Sequence, residues 1–427
     1  MKIKAIKALE ILDSRGNPTV SATVILDNGI TGQAAVPSGA STGAYEAVEL
    51  RDGDMSRYHG QGVLKAIANI EEKIAPALIA QDVTQQEVID QIMIDLDATT
   101  NKENLGANAI LAVSMACTRA AANAKQIPLY QYLSQFNPEF KEKYILPVPM
   151  MNLLNGGKHA NWATDIQEYM ILPVGASNFT EAIRMGVEVY HSLKQILKDN
   201  SLAISVGDEG GFAPNFKNNE EPFQFLRTAI EKANYILAKD FVLAIDAAAT
   251  EFYQDNQYNL HKEEKLLSTE AMIDFYHSLS LNYPILSFED PLAEDDWTGF
   301  KAFTAKMPNT QVVGDDLYVT NVDRLQRGIK EKSSNSILIK LNQIGTLTET
   351  IKAINLAKAN NFTTIISHRS GETDDAFIAD LAVAMGSGQI KTGAPGRGER
   401  TAKYNRLLEI AQELGDRAEY AKFPFQA

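Results

Sequence analysis

The chain has 427 residues, more than one average domain holds and enough for a barrel of usual size with a smaller companion, so two domains are expected. Its 45% apolar and 22% charged content excludes a disordered polymer, and a net charge of -14 opposes nonspecific binding to nucleic acid or anionic lipid. An anionic substrate would meet the same repulsion, so a site for one must concentrate Lys, Arg or metal locally.

Cys117 is the only cysteine, which rules out an intrachain disulfide and a four-thiolate metal site and fits a reducing cytosol. At the start, Lys2, Lys4 and Lys7 interrupt any apolar stretch, and nowhere do about 18 apolar residues run uninterrupted. Neither a signal peptide nor a membrane span is expected, and the cytoplasm is the expected location.

From Ile3 to Val36 the pattern is that of strands, broken at Asp13-Ser14-Arg15-Gly16-Asn17-Pro18 and turned at Asn28-Gly29, which predicts an antiparallel meander. The small polar loop Ser38-Gly39-Ala40-Ser41-Thr42-Gly43 follows. Helical periods then run over about 62–80, 84–96 and 107–125. Polar residues around 136–144, then Pro147 and Pro149, suggest a boundary that divides the chain into 1–137 and 138–427.

Beyond residue 238 short apolar runs alternate with amphipathic stretches of helical length. The runs are 241–245, 285–288, 311–313, 336–339, 363–366 and 389–390. Each leads into chemistry: Asp246, Glu289, Asp315, Lys340, then His368-Arg369-Ser370, and Lys391. Most intervals are 22 to 29 residues, the first being 43 and requiring an insertion. Parallel strands with helical crossovers are implied, and in an eight-stranded α/β barrel all these positions share the C-terminal rim where such folds place their active sites.

Asp246, Glu289 and Asp315 are hard oxygen donors on three adjacent strand ends, the type of set Mg2+ takes when it keeps positions for water and substrate. Taken singly, each is better explained by capping the next helix. Three in consecutive units favour a metal. Asp316, and Glu294-Asp295-Asp296, read instead as caps and solvated charge, although periodicity alone does not separate Asp315 from Asp316.

Lys340 emerges from a buried strand, where a lysine needs a partner or a reaction. To act as a base near neutral pH it must have its pKa lowered from ~10.4 by roughly 3 units, about 4 kcal/mol. Nearby Mg2+ and Lys391 would do this; without them the lysine stays a protonated cation. Gly207-Asp208-Glu209-Gly210-Gly211 sets acids in a glycine-flanked turn, suited to a general acid or to a simple turn cap. Asn155-Gly156-Gly157-Lys158-His159 and Gln167-Glu168 offer further polar groups. Arg369 and Ser370 suit a phosphate, through forked hydrogen bonds and a hydroxyl. Gly393-Ala394-Pro395-Gly396-Arg397-Gly398 matches no nucleotide fingerprint.

Leu338-Ile339-Lys340-Leu341-Asn342-Gln343-Ile344-Gly345-Thr346 resembles the signature segment of the enolases. So, in order along the chain, do 36–43, 207–211, 287–291, 313–317 and 367–373 resemble blocks of that family. The resemblance implies an irregular eight-stranded β/α (TIM-like) barrel, its second strand antiparallel, preceded by a smaller α+β amino-terminal domain. It implies a lyase of glycolysis and gluconeogenesis that interconverts 2-phospho-D-glycerate and phosphoenolpyruvate. Asp246, Glu289 and Asp315 would bind one Mg2+, and Ser41, in a closing loop, a second. Lys340 would take the proton from carbon 2, Glu209 with help from Glu168 would protonate the leaving hydroxyl, and Lys391 would meet the substrate carboxylate. Arg369 and Ser370 would hold the phosphate, with Gln167 and His159 completing the pocket.

The resemblance also implies a homodimer, in some members an octamer. Trp162 and Gly398 depart from the family pattern and bear on loop behaviour. The competing readings are a related acid dehydratase without phosphate, which Arg369, Ser370 and the Ser41 loop oppose, and a binding role on the same fold. That role would be a degradosome scaffold or a host-protein receptor in a surface or secreted pool. It would be marked by decay of the site, yet the site is whole.

Overall fold

The computed structural model describes residues 1–39 and 43–425, with His159 described by its backbone alone. Strands β1 (Ile3–Leu12), β2 (Pro18–Leu26) and β3 (Thr31–Ala35) form the expected antiparallel meander. The helix Ala107–Ala124 lies across it, nearly all of its residues buried. Its alanines permit close approach to the sheet. A Cβ at Gly32 would stand 2.2 Å from the backbone nitrogen of Ala120, so no side chain fits there. The helical run expected at 62–80 appears as Leu64–Asn69, a π turn at Ile70–Ile74, and Ala75–Leu78. The next helix is Gln86–Asp97.

Eight strands close into a barrel: Val148–Asn155, Glu168–Leu172, Val242–Asp246, Ile285–Glu289, Gln311–Gly314, Ser336–Ile339, Thr363–Ser367 and Gly388–Lys391. The second pairs antiparallel with both neighbours, while every other pairing in the barrel is parallel. All six apolar runs read from the sequence are strands, and the long first interval holds the extra sheet of 253–254, 257–260 and 265–267.

Strand side chains alternate between faces, so the barrel interior is layered. Met150, Met170, Ala244, Val313, Leu338 and Ile365 belong to an apolar cluster inside the barrel, closed off by Ala421 and Phe423. Two positions further along four of these strands stand Asn152, Asp246, Asp315 and Lys340. The apolar layer is thus the floor on which the polar rim rests. Crossover helices cover the outside, their apolar faces at three- and four-residue spacing, as in Phe179–Asp199 with Asn178 capping its start.

The small domain is bound to the barrel by buried polar contacts. Asp90 accepts the Thr348 backbone N–H at 2.9 Å and its hydroxyl at 2.6 Å, and the Ser114 hydroxyl accepts the Leu347 N–H at 3.1 Å. Both serve the otherwise unpaired N-terminus of the barrel helix Leu347–Ala359. Arg119 forks onto Asp375, and the backbones of Ser38 and Gly371 exchange hydrogen bonds. The domains therefore meet at the barrel rim. Among the described residues no helix is long and apolar enough to cross a membrane.

Candidate active site

The register of the strands assembles the rim. Asp246 is paired with Glu289 on one side and with Glu168 on the other, so three carboxylates occupy one row across three strands. Asp315 follows the next strand. Lys391, ending the eighth strand, reaches into the row: its Nζ lies 3.1 Å from Asp246, 2.9 Å from both oxygens of Glu289 and 3.2 Å from Glu168. Lys340 forms a short ion pair with Asp315, whose other oxygen accepts from Gln343 Nε2 at 2.8 Å. Each lysine thus holds carboxylates that carried no mutual attraction of their own.

Glu168, Asp246, Asp315, Lys340 and Lys391 line a cavity of about 20 Å3 together with Gln167, Glu209, His368, Arg369 and Ser370, while Glu289 lies fully buried just beneath it. Acids outnumber bases on its wall, since Glu168, Glu209, Asp246, Asp290, Asp315 and Asp316 face Lys340, Arg369 and Lys391. Burial pushes Glu168, Glu289, Asp290 and Asp316 well above the usual carboxylate range. Burial also opposes ionisation of Asp315, yet the Lys340 charge beside it keeps its carboxyl below the ordinary value. For Lys340, burial works against the charge, but Asp315 outweighs it and holds the ammonium above its ordinary range. Lys391 is raised further, its burial overcome by Asp246, Glu168 and Glu289.

Asp290, Asp315 and Asp316 each present an oxygen within 4.8 Å of the others. Asp290 is occupied with the backbone instead, since its two oxygens accept the N–H groups of Asp315 (3.0 Å) and Asp316 (2.7 Å) and so fix the turn after the fifth strand. Asp316, read from the sequence as cap or solvated charge, in fact lines the cavity. The slip between adjacent positions is unimportant here because the chain has left the strand, where alternation no longer governs direction. Asp296 does cap the helix Trp297–Lys306, through the Gly299 N–H at 2.9 Å. Glu294 and Asp295 hold the Ala44 N–H and the Tyr45 hydroxyl, so they tie down the small domain's loop rather than face solvent alone.

Glu209 sits in the turn 207–211, where Gly210 has φ +87° and a Cβ would press on the Gly396 carbonyl at 3.0 Å. Its carboxyl accepts from Asn152 Nδ2 at 3.0 Å and from the Ser370 hydroxyl at 3.3 Å, and His368 Nε2 faces it at 3.7 Å. Gln167 Oε1, Glu168 Oε2 and both side-chain polar atoms of Asn155 are buried with no hydrogen-bond partner among the described residues. In a native interior such groups await a ligand or water.

Arg369 reaches the small domain. Its Nη1 donates to Glu46 at 2.8 Å and to Asn342 at 2.9 Å, and its Nη2 donates to Glu46 at 3.2 Å. Glu46 also accepts the Gly43 N–H at 3.1 Å, directly after the loop that carries Ser41. Ser41 itself, and the side chain of His159, lie outside the described residues. Trp162 is partly exposed and meets His261 edge-on at 6.4 Å. Gly398 begins the helix Gly398–Leu414, and a Cβ there would meet nothing within 4 Å, so its departure from the family pattern costs no packing.

His368, placed on the rim by the sequence as the residue directly after a barrel strand, does line the cavity. Sequence reasoning assigned no role to Glu46, Asn152, Asp290, Gln343 or Arg400, whose partners are far away in the chain.

The cavity offers hard oxygen donors, two lysines, a guanidinium and a buried carboxyl around one space. Two family models match the chain in succession: Enolase, N-terminal domain, over residues 3–133, and Enolase, C-terminal TIM barrel domain, over residues 143–427. A relative from Natranaerobius thermophilus, named Enolase, is 57% identical over 413 residues, which cover 96% of this chain and 95% of the relative.

Proposed function

The chain belongs to the enolase family and is a phosphopyruvate hydratase, a glycolytic lyase, and we propose that Lys340 is its base and Glu209 its acid. The observation that supports these roles is that both side chains line one buried cavity, Lys340 on the carboxylate side and Glu209 among neutral donors. In the forward direction the Lys340 amine takes the carbon-2 proton of 2-phosphoglycerate, leaving the electron pair conjugated with the substrate carboxylate. The pair then forms the carbon–carbon double bond as the carbon-3 oxygen departs with its own electrons. Glu209 gives that oxygen a proton, and water leaves.

Lys340 must first part from Asp315 and lose its own proton, since in the structure it is an ion-paired cation. Lys391 meets the substrate carboxylate, and Glu168 supports Glu209. Arg369 and Ser370 hold the phosphate, the guanidinium being kept in place by Glu46 and Asn342. Gln167 and His159 complete the pocket.

The donor set fits a divalent cation: the excess of buried carboxylates over bases calls for more positive charge than the cavity's own side chains provide. Asp246, Glu289 and Asp315 would hold one Mg2+ and Ser41 a second, and the ions would supply charge that stabilises the doubly ionised carboxylate of the intermediate. We read residues 1–137 as the lid-bearing domain and 138–427 as the catalytic one. A homodimer working in the cytoplasm completes the reading. The exposed Leu9 and Leu12 on β1, a sheet edge, favour a protein partner on that face.

The test is to give the purified protein 2-phosphoglycerate and follow the absorbance of the enol phosphate with Mg2+ and with chelator. Product that appears only with Mg2+ is expected. Product formed equally in chelator would refute the metal assignment, and none under either condition would refute the whole reading.

A further inference from the structure

Behind Glu209 lies a fully buried guanidinium that the proposed chemistry does not use. Arg400 Nη1 contacts His368 Nδ1 at 2.6 Å and donates to the Arg369 carbonyl at 2.7 Å; Nη2 donates to the carbonyls of Asp208 at 2.8 Å and Ser370 at 2.6 Å. Arginine can only donate, so His368 Nδ1 must accept, and the ring hydrogen of a neutral His368 is on Nε2. That nitrogen faces Glu209 Oε2 at 3.7 Å.

An unperturbed histidine and glutamate side by side differ by roughly 2 pK units in the direction that puts the proton on the imidazole. An acid catalyst with such a neighbour would be left as a carboxylate. Protonating His368 here would instead place an N–H against the N–H of Arg400 and set two cations in contact. The guanidinium is permanently charged, so the lock does not titrate away.

Resting on the assignment of Glu209 as the acid, we infer that Arg400 is a positioning residue that keeps His368 neutral and so leaves the dehydration proton on Glu209. Burial, and then the charges of Arg400, Lys391 and Lys340, hold His368 well below its ordinary pKa, although Glu209 pulls the other way. The packing agrees. Gly393 has φ +80°, and a Cβ there would come within 2.5 Å of the Glu209 carbonyl, 3.0 Å of Arg400 Cδ and 3.2 Å of His368 Cε1. When Glu209 carries its proton, the Ser370 hydroxyl turns from donor to acceptor, as a hydroxyl can. After transfer the His368 Nε2–H is left facing the new carboxylate.

The test has two arms. In protein labelled with 15N-histidine, the ring signal lost in His368→Gln should show, at neutral pH, an unprotonated Nδ1 and a protonated Nε2. In Arg400→Gln the same ring should become doubly protonated. With 2-phosphoglycerate and Mg2+, Arg400→Gln should lose dehydration on the order of 100-fold, the factor set by the 2-unit difference, while solvent exchange at carbon 2 stays within about 3-fold of wild type. Adding His368→Gln to Arg400→Gln removes the competing base and should recover at least about 10-fold of the dehydration rate. A merely structural arginine would depress both reactions together and show no such rescue.

An imidazolium or an Nδ1–H in the wild type overturns the inference, as does a double variant no faster than Arg400→Gln. If Arg400→Gln does not fold, the wild-type spectrum decides. Failure of the wild type to dehydrate at all would instead strike the assignment of Glu209, while the ring spectrum would still report on the lock.

Discussion

The two sides of the cavity are built on opposite terms. On one, Lys340 and Lys391 stand among Asp246, Glu289, Asp315 and Glu168, so each charge is held by other charges. On the other, Glu209 accepts from an amide and a hydroxyl and is faced by a neutral imidazole, and the Arg400 guanidinium behind it is directed at backbone carbonyls, a ring nitrogen and the Glu399 carboxylate. A base must give up a proton and an acid must keep one. The charged side is set to change with its cation content, and the hydrogen-bonded side to resist change.

This contrast can be broken in several places. The largest effect should come from Lys340→Ala, which removes the base and should lower turnover by about 10^3-fold or more, the upper part of what proton transfer contributes. Steady-state rates with a calorimetric measure of substrate binding check it, binding being expected to persist. Glu209→Gln should follow, with dehydration reduced on the order of 10^2- to 10^4-fold.

Mg2+ should then raise the thermal midpoint of the wild type, with a smaller rise in Asp246→Asn. This follows because ligands bound only by the folded state stabilise it. Scanning calorimetry with and without chelator gives the comparison, and an equal rise in both proteins would remove Asp246 from the metal set.

The smallest effect concerns pH. His368 has a folded pKa well below its ordinary 6.5, so the unfolded chain takes up the proton first. Its contribution to stability is therefore present above about pH 6.5 and declines as the pH falls below that. Denaturant melts of wild type and His368→Gln should diverge below about pH 6.5, the wild type losing stability faster. Parallel curves would place His368 outside the buried, neutral state.

Much of the charged side was legible in the sequence, because a barrel strand announces itself as an apolar run, and its last residue or the one just after it stands on the rim. Asp246, Glu289, Asp315, Lys340 and Lys391 are all of that kind. Direction was not legible: alternation in Glu168–Leu172 is the same whether the strand runs up or down, and only the family resemblance indicated that it is antiparallel. The hydrogen-bonded side was hidden for another reason. Arg400 lies in the first turn of a helix and meets His368 across 32 residues, and Glu46 meets Arg369 across 323, contacts that no local period encodes. Asp316 was read as a cap or solvated charge, and its place on the cavity wall follows from a turn that Asp290 fixes from 26 residues away.

The division of labour is tested most directly by the incorporation of solvent deuterium at carbon 2 of 2-phosphoglycerate, measured by NMR with Mg2+ in wild type, Lys340→Ala and Glu209→Gln. Glu209→Gln should still exchange that proton although it forms little phosphoenolpyruvate, and Lys340→Ala should do neither. Equal loss of exchange in both variants, or exchange surviving in Lys340→Ala, would contradict the account.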